Sequence, residues 1–139
     1  MAKFNFPYVI VKRIQSIGQT SISKFRRKEF RNGKTSFDVL IRKIIEREGL
    51  TRADVIAVVS ALEDVIKEEI AEGRSVNVGY LGTFTPYLES KLMTTVTQAE
   101  ENGGGIIRCR FRPSVDFSEF LKNEVSLKRA ITDISGLQS

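Results

Sequence analysis

The chain has 139 residues and a net charge of +5, from 22 lysines and arginines against 17 aspartates and glutamates, with no histidine. Without histidine it lacks the commonest general base and the commonest metal ligand, which weighs against enzymatic and metal-dependent readings. A single cysteine, Cys109, permits no internal disulfide and fits a reducing compartment.

The length predicts one domain with an appended segment. Hydrophobic content of 41% and charged content of 28% are ordinary for a soluble globular chain. No apolar run approaches the ~18 residues of a membrane span. The run Tyr8 to Val11 is cut by Lys12 and Arg13 and is too short for a signal-peptide core, so a cytoplasmic protein is expected. Residues 1–34 hold nine cations against the single anion Glu29, a local balance of +8, which leaves −3 for the remainder. So lopsided a distribution points to a polyanionic partner, with a solvated basic surface as the bland alternative.

In chain order, Phe6 to Ile14 is apolar and β-branched around Pro7 and predicts a strand. Gly18 lies in a turn-forming stretch. Ser21 to Phe30 reads as a second strand or a basic connector holding Arg26, Arg27 and Lys28, with Arg31 just after it, and Asn32-Gly33 marks a turn. Thr35-Ser36-Phe37-Asp38 opens a helix with a hydroxyl cap and a carboxylate close to a capping box. Phe37, Leu40, Ile41, Ile44 and Ile45 follow at helical spacing, and Gly49 closes it. Thr51-Arg52-Ala53-Asp54 repeats the start signal for a longer helix, with Val55, Val58, Val59, Leu62, Val65, Ile66 and Ile70 as its apolar residues. Glu68, Glu69 and Glu72 near its end oppose the macrodipole and read as solvated.

From Ser75 the period changes to two, in Ser-Val-Asn-Val-Gly-Tyr-Leu-Gly-Thr-Phe, with Gly79 and Gly82 as a bulge or close approach. Thr83 to Leu88 continues the strand. Glu89 to Gly105 predicts a protruding arm, with Met93 to Val96 strand-like and Asn102 to Gly105 flexible. Ile106 to Pro113 is the returning strand. Ser114 opens a short helix with Val115, Phe117, Phe120 and Leu121. Residues 126–139 form a tail, read as a frayed helix or a docking segment. The order of elements is that of an α+β domain.

The sharpest feature is Arg108, Arg110 and Arg112. Residues two apart on a strand share a side, so the three guanidiniums stand in a row, with Ile107, Cys109 and Phe111 turned to the core and Cys109 buried. Guanidinium forks suit phosphates; a solvated strand face is the competing explanation. The carboxylates lie mostly on helix exteriors, and the sequence shows no metal-ligand cluster and no phosphate-binding Gly-Lys-Ser/Thr loop, so neither a catalytic group nor a cofactor is expected.

Three pieces then carry a family likeness: Leu50-Thr51-Arg52-Ala53-Asp54-Val55, the stretch Val76 to Phe84, and Phe111-Arg112-Pro113 before the last helix. In this order and spacing the span from Thr35 to Asn123 resembles the bacterial histone-like HU/IHF family of DNA-bending proteins. The lead segment is similar to that of longer HU-like members. The resemblance implies a homodimer with a base of two helices, an antiparallel sheet with a protruding β-arm, and a short C-terminal helix. It divides the chain into a basic extension with an extra strand segment (1–34), an HU-like domain (35–125) and the tail. It also implies a non-enzymatic, nucleoid-associated protein on double-stranded DNA. Arg112, Arg108 and Arg110 would be sheet contacts, Gly82 and Thr83 the turn near the backbone, Lys91 an arm contact, and Arg26, Arg27, Lys28 and Arg31 contacts from the extension. The arm departs from the family pattern: residues 89–105 hold one lysine, three glutamates and no proline, so the wedge that kinks a duplex is missing. Its acidity favours the rival reading, an HU-like dimerisation module that docks a protein and has lost DNA binding.

Overall fold

The computed structural model describes residues 3–130. Its elements are β1 (Phe4–Ile17), β2 (Thr20–Glu29), α1 (Phe37–Glu48), α2 (Arg52–Ala71), β3 (Val76–Asn77), β4 (Gly82–Glu89), α3 (Val96–Asn102), β5 (Ile106–Pro113), α4 (Val115–Asn123) and β6 (Val125–Arg129). The class is α+β. Two three-stranded sheets, ordered β2-β1-β6 and β3-β4-β5, fall in two compact units. One takes the residues up to Lys34 with those from Glu119, the other is Thr35–Ser118.

In the first unit β1 and β2 pair antiparallel without interruption from Tyr8↔Glu29 to Ile17↔Thr20. Gly18 and Gln19 close the hairpin. Gly18 has φ +64° and Gln19, like every described non-glycine residue, does not have positive φ, which is the II′ pattern that matches strand twist. The basic stretch from Ser21 is therefore a strand edge and not a connector, because the turn at Gly18 brings it back along the β-branched β1. On its other side β1 pairs with β6 in parallel, Phe4↔Val125 through Tyr8↔Arg129. Residues 126–129 are thus a strand docked on β1, where the sequence left a frayed helix or a docking segment open; residues 131–139 of that tail lie outside the described residues. Phe4 packs on Phe120 of α4 at 5.7 Å between ring centroids, and Val9 is this unit's buried apolar residue.

In the second unit the helices start where hydroxyl side chains cap them. Ser36 caps α1 by accepting from Val39 N–H at 3.3 Å. This puts the cap one residue past Thr35 and leaves Asp38 out of register for a capping box; Asp38 accepts from Arg52 instead, at 2.5 Å. Gly49 ends α1 in the left-handed region, φ +65°. At α2 the box closes fully: Thr51 Oγ1 accepts from Asp54 N–H at 3.2 Å, and Asp54 Oδ2 accepts from Thr51 N–H at 3.4 Å. Such a cap is worth ~1 kcal/mol. In this unit Ile41 and Val55 are the buried apolar side chains, whereas Val58, Leu62 and Val65, at helical spacing along α2, are exposed.

The sheet β3-β4-β5 is antiparallel. Val76↔Phe84 and Asn77↔Thr83 join β3 to β4, and Gly82↔Pro113 through Glu89↔Ile106 join β4 to β5. β3 stops opposite Phe84, so Pro86 sits where one edge of β4 has no partner and loses no ladder bond. Between the strands the expected β-arm is absent: residues 90–105 fold over a seven-residue helix. Thr95, expected within a strand, caps α3 by accepting from Gln98 N–H at 3.2 Å. Lys91 N–H donates to Gly103 C=O at 3.0 Å across the base of this segment. Ser114 caps α4 by accepting from Phe117 N–H at 3.0 Å.

Candidate nucleic-acid interface

Basic residues collect on two hairpins. On β4–β5 the register gives the two sides. Arg112, Arg110 and Arg108 lie opposite Thr83, Thr85 and Tyr87, so the three guanidiniums share one side, as alternation predicts. Each has its own surroundings. Arg108 donates to the carboxylate of Glu89. Arg110 lies over the Tyr87 ring at 4.8 Å from its centroid. Arg112 forms no ion pair among the described residues and faces Thr83, whose Oγ1 accepts from Asn77 Nδ2 at 3.2 Å. The ion pair of Arg108 is exposed on both partners, and such pairs are worth ~0–1 kcal/mol.

The reverse side of β5 carries Phe111, Cys109 and Ile107. Phe111 stacks on Phe84 at 5.0 Å. Cys109 is exposed, contrary to the expectation of burial. Alternation fixed its side of the strand, but none of the described residues buries that position. Gly82 has a structural reason to be glycine. Its φ is +155°, and a Cβ there would collide with the Arg112 carbonyl oxygen and lie 2.8 Å from the Phe111 ring. Thr83 beside it is half-buried in the ladder, and Lys91 is an exposed residue of the 90–105 segment.

The second hairpin, β1–β2, is the longer one and stands exposed over both strands from Lys12 to Glu29. Arg13↔Lys24, Val11↔Arg26 and Val9↔Lys28 are directly opposed, and so are Lys12↔Phe25, Ile10↔Arg27 and Tyr8↔Glu29. Opposed residues share a side. One side therefore holds Arg13, Lys24, Arg26 and Lys28; the other holds Lys12, Arg27 and Glu29 with Tyr8, Ile14 and Phe25. The stacking of Arg27 on the Tyr8 ring, 4.8 Å from the centroid, agrees with this division. The ion pairs among the described residues involve Arg52, Arg74 and Arg108 and none of these cations. Arg31 follows in the irregular stretch after β2 and is exposed. Sequence reasoning singled out Arg26, Arg27 and Lys28 but not Lys12, Arg13 or Lys24. Lys24 could have been found from its place two residues before Arg26, while Lys12 and Arg13 precede the Gly18 turn and carried no comparable signal.

Elsewhere a guanidinium is fully engaged. Arg74, after α2, donates to Glu69 at 2.5 Å and also to Glu72. The hydrogen bond from Arg74 holds the Glu69 carboxyl below its usual range, and the same contacts raise Arg74. Two of the three glutamates read as solvated are thus ion-paired. Among the described residues no group of His, Cys, Asp and Glu side chains could hold a metal ion, and no helix is long and apolar enough to cross a membrane.

Residues 5–129 match the model of a protein family, HU-HIG, described as an HU domain fused to a wHTH, Ig or glycine-rich motif. The leading hairpin lies inside that match. The fold is similar to the crystal structure of a "putative bacterial DNA binding protein" from Bacteroides vulgatus ATCC 8482, with a TM-score of 0.65 and 14% identity over 91% of this chain. The chain spans about half, 49%, of that protein's length. No curated protein matches the sequence.

Proposed function

The chain belongs to the HU-HIG family of HU-domain proteins, and from that premise we propose that it is a non-enzymatic, nucleoid-associated protein that binds duplex DNA through phosphates with little sequence preference. The observation that carries this reading is the β1–β2 hairpin, whose cations have no ion-pair partner among the described residues. Like charges held side by side repel, and a polyanion relieves that repulsion. Arg26, Arg27, Lys28 and Arg31 belong to this basic segment. On the other hairpin Arg110 and Arg112 offer exposed guanidiniums, Arg108 is shared with Glu89, and Lys91 is a lesser contact. Thr83 takes part through its place beside Arg112. Gly82 acts by letting the β4 backbone pass Phe111 and not by touching DNA. The helix α3 in place of a proline-tipped arm supports contact without wedge insertion.

The working unit in this reading is a homodimer. The exposed apolar stripe Val58, Leu62 and Val65 on a 20-residue helix supports it, because burying such side chains contributes about 1.5–3 kcal/mol each.

Titration of labelled duplexes of unrelated sequence, at low and moderate salt, tests the function. Binding is expected at low salt for all of them, with log affinity falling linearly in log salt by about 0.9 per phosphate neutralised. A stable oligomer in solution with no affinity for DNA at low salt would select the rival, a dimerisation module that docks a protein partner; the acidic segment between β4 and β5 is the feature that favours it.

A further inference from the structure

The two sides of the β1–β2 hairpin differ in chemistry, and that difference can be read as a division of labour. The side of Arg13, Lys24, Arg26 and Lys28 has four cations and no carboxylate over the paired stretch from Tyr8↔Glu29 to Arg13↔Lys24. Arg13 and Lys24 are directly opposed, an arrangement that costs stability unless an anion lies between or beside them. The reverse side is mixed. Phe25 is 57% exposed and Ile14 65% exposed, Arg27 is drawn onto the Tyr8 ring, and Glu29 cancels one charge.

We propose that the side bearing Arg13, Lys24, Arg26 and Lys28 is a phosphate-tracking face for duplex DNA, and that Lys12 and Arg27, on the reverse side, are not phosphate ligands. The inference rests on the DNA-binding reading above; it adds the contacting side and two residues, Arg13 and Lys24, and it takes Arg27 out of the set of DNA contacts, because its guanidinium lies on the Tyr8 ring on the reverse side. Spacing supports it. Alternate strand residues recur every ~6.8 Å, and phosphates advance ~3.4 Å along the axis per strand. Because the backbone also winds around the axis, successive phosphates of one strand lie farther apart than this rise, at about 7 Å, so Lys24, Arg26 and Lys28 recur at roughly the spacing of successive phosphates along one backbone. Freedom from the sheet supports it too: β6 covers β1 only as far as Tyr8, Val9 to Val11 are still buried or half-buried, and from Lys12 onward the residues of both strands are exposed.

The test compares two variants of equal charge change in the full chain, Lys24→Gln with Arg26→Gln, and Lys12→Gln with Arg27→Gln. Both alter exposed positions of the β1–β2 hairpin and remove two positive charges, so net charge is matched, and a urea midpoint for each variant checks that the fold is kept. Duplex affinity is measured across a salt series. The first pair is expected to flatten the salt slope by about 2, at ~0.9 per lost phosphate contact, and the second to leave it within about 0.5 of the parent. The exchange Lys24→Arg with Arg26→Lys, which keeps the charges, is expected to retain the slope. Equal flattening by both pairs would overturn the sidedness while leaving DNA binding in place. No flattening by either, in a protein that binds, would move the contact off the ribbon. If the unmodified chain binds no duplex even at low salt, it is the function itself that fails. Aggregation of the first variant with its slope unchanged would make the cations guards of an open strand edge, and would overturn the proposal as well.

Discussion

The two hairpins handle positive charge in opposite ways. On β4–β5 two of the three arginines are occupied by their own chain, Arg108 by Glu89 and Arg110 by the Tyr87 ring. On β1–β2 one cation, Arg27, lies on an aromatic ring, and the others form neither an ion pair nor a ring contact among the described residues. Both strands show the same basic alternation in sequence. What separates them is the cross-strand neighbour: β4 offers Tyr87 and Glu89 opposite its arginines' side, whereas β1 offers Val9, Val11 and Arg13. Alternation thus assigns a side, and the partner strand decides whether a charge on that side remains available.

The largest expected effect comes from the backbone that sets these registers. Gly82→Ala puts a methyl group against the Arg112 carbonyl oxygen and the Phe111 ring, at a φ of +155°. A loss of roughly 3 kcal/mol is expected, the upper end of ordinary single substitutions. At Gly18 the added Cβ meets nothing within 4 Å, and only the φ of +64° is unfavourable. There a loss of about 1 kcal/mol is expected. Urea unfolding of both variants checks the contrast. Equal losses would mean that the β4–β5 crossing is not as tight as its geometry.

The glycine contrast also shows how far the sequence could be read. The α1 and α2 starts were visible because Ser36, Thr51 and Asp54 act on neighbours three residues away, and Gly49 ends α1 locally. Period-two alternation likewise placed Arg108, Arg110 and Arg112 together. β6 was not visible, since it is held by β1, 121 residues earlier at Phe4↔Val125. Thr94, Thr95 and Val96 carry strand propensity, yet Thr95 is spent as a helix cap, a choice that local composition does not decide. The exposure of Cys109 depends on what covers a sheet side, which alternation does not contain. As for the candidate site, Arg26, Arg27 and Lys28 were legible as a cluster, but their separation onto two sides required the segment to be a strand, and their neighbours on β1 required the register set at Gly18.

A smaller effect sharpens the charge comparison. Glu89→Gln removes the carboxylate that holds Arg108. Because the pair is exposed, stability should change by less than about 1 kcal/mol. In the DNA-binding reading the freed guanidinium makes the β4–β5 hairpin resemble the ribbon, so affinity for duplex DNA should rise and the salt slope should steepen by up to about 0.9. A tighter complex with an unchanged slope would point to relief of general repulsion. An unchanged complex would place Arg108 outside the contact.

The smallest effect tests the fully paired extreme, Arg74 with Glu69 and Glu72. Arg74 holds the Glu69 carboxyl below its ordinary range, so Glu69 binds its proton less readily in the folded chain than in the unfolded one. Its contribution to stability is then fully present above the ordinary carboxylate range and is lost as pH falls through the lowered folded value. Both partners reach solvent, Glu69 being half-buried and Arg74 exposed, so water and salt screen the pair and the effect is slight. Urea midpoints of the parent and of Glu69→Gln should differ most near neutral pH and converge in acid. A gap that widens on acidification would mean that Arg74 does not stabilise the ionised carboxylate. Arg74 would then belong with the available cations of the ribbon and not with the arginines held at home.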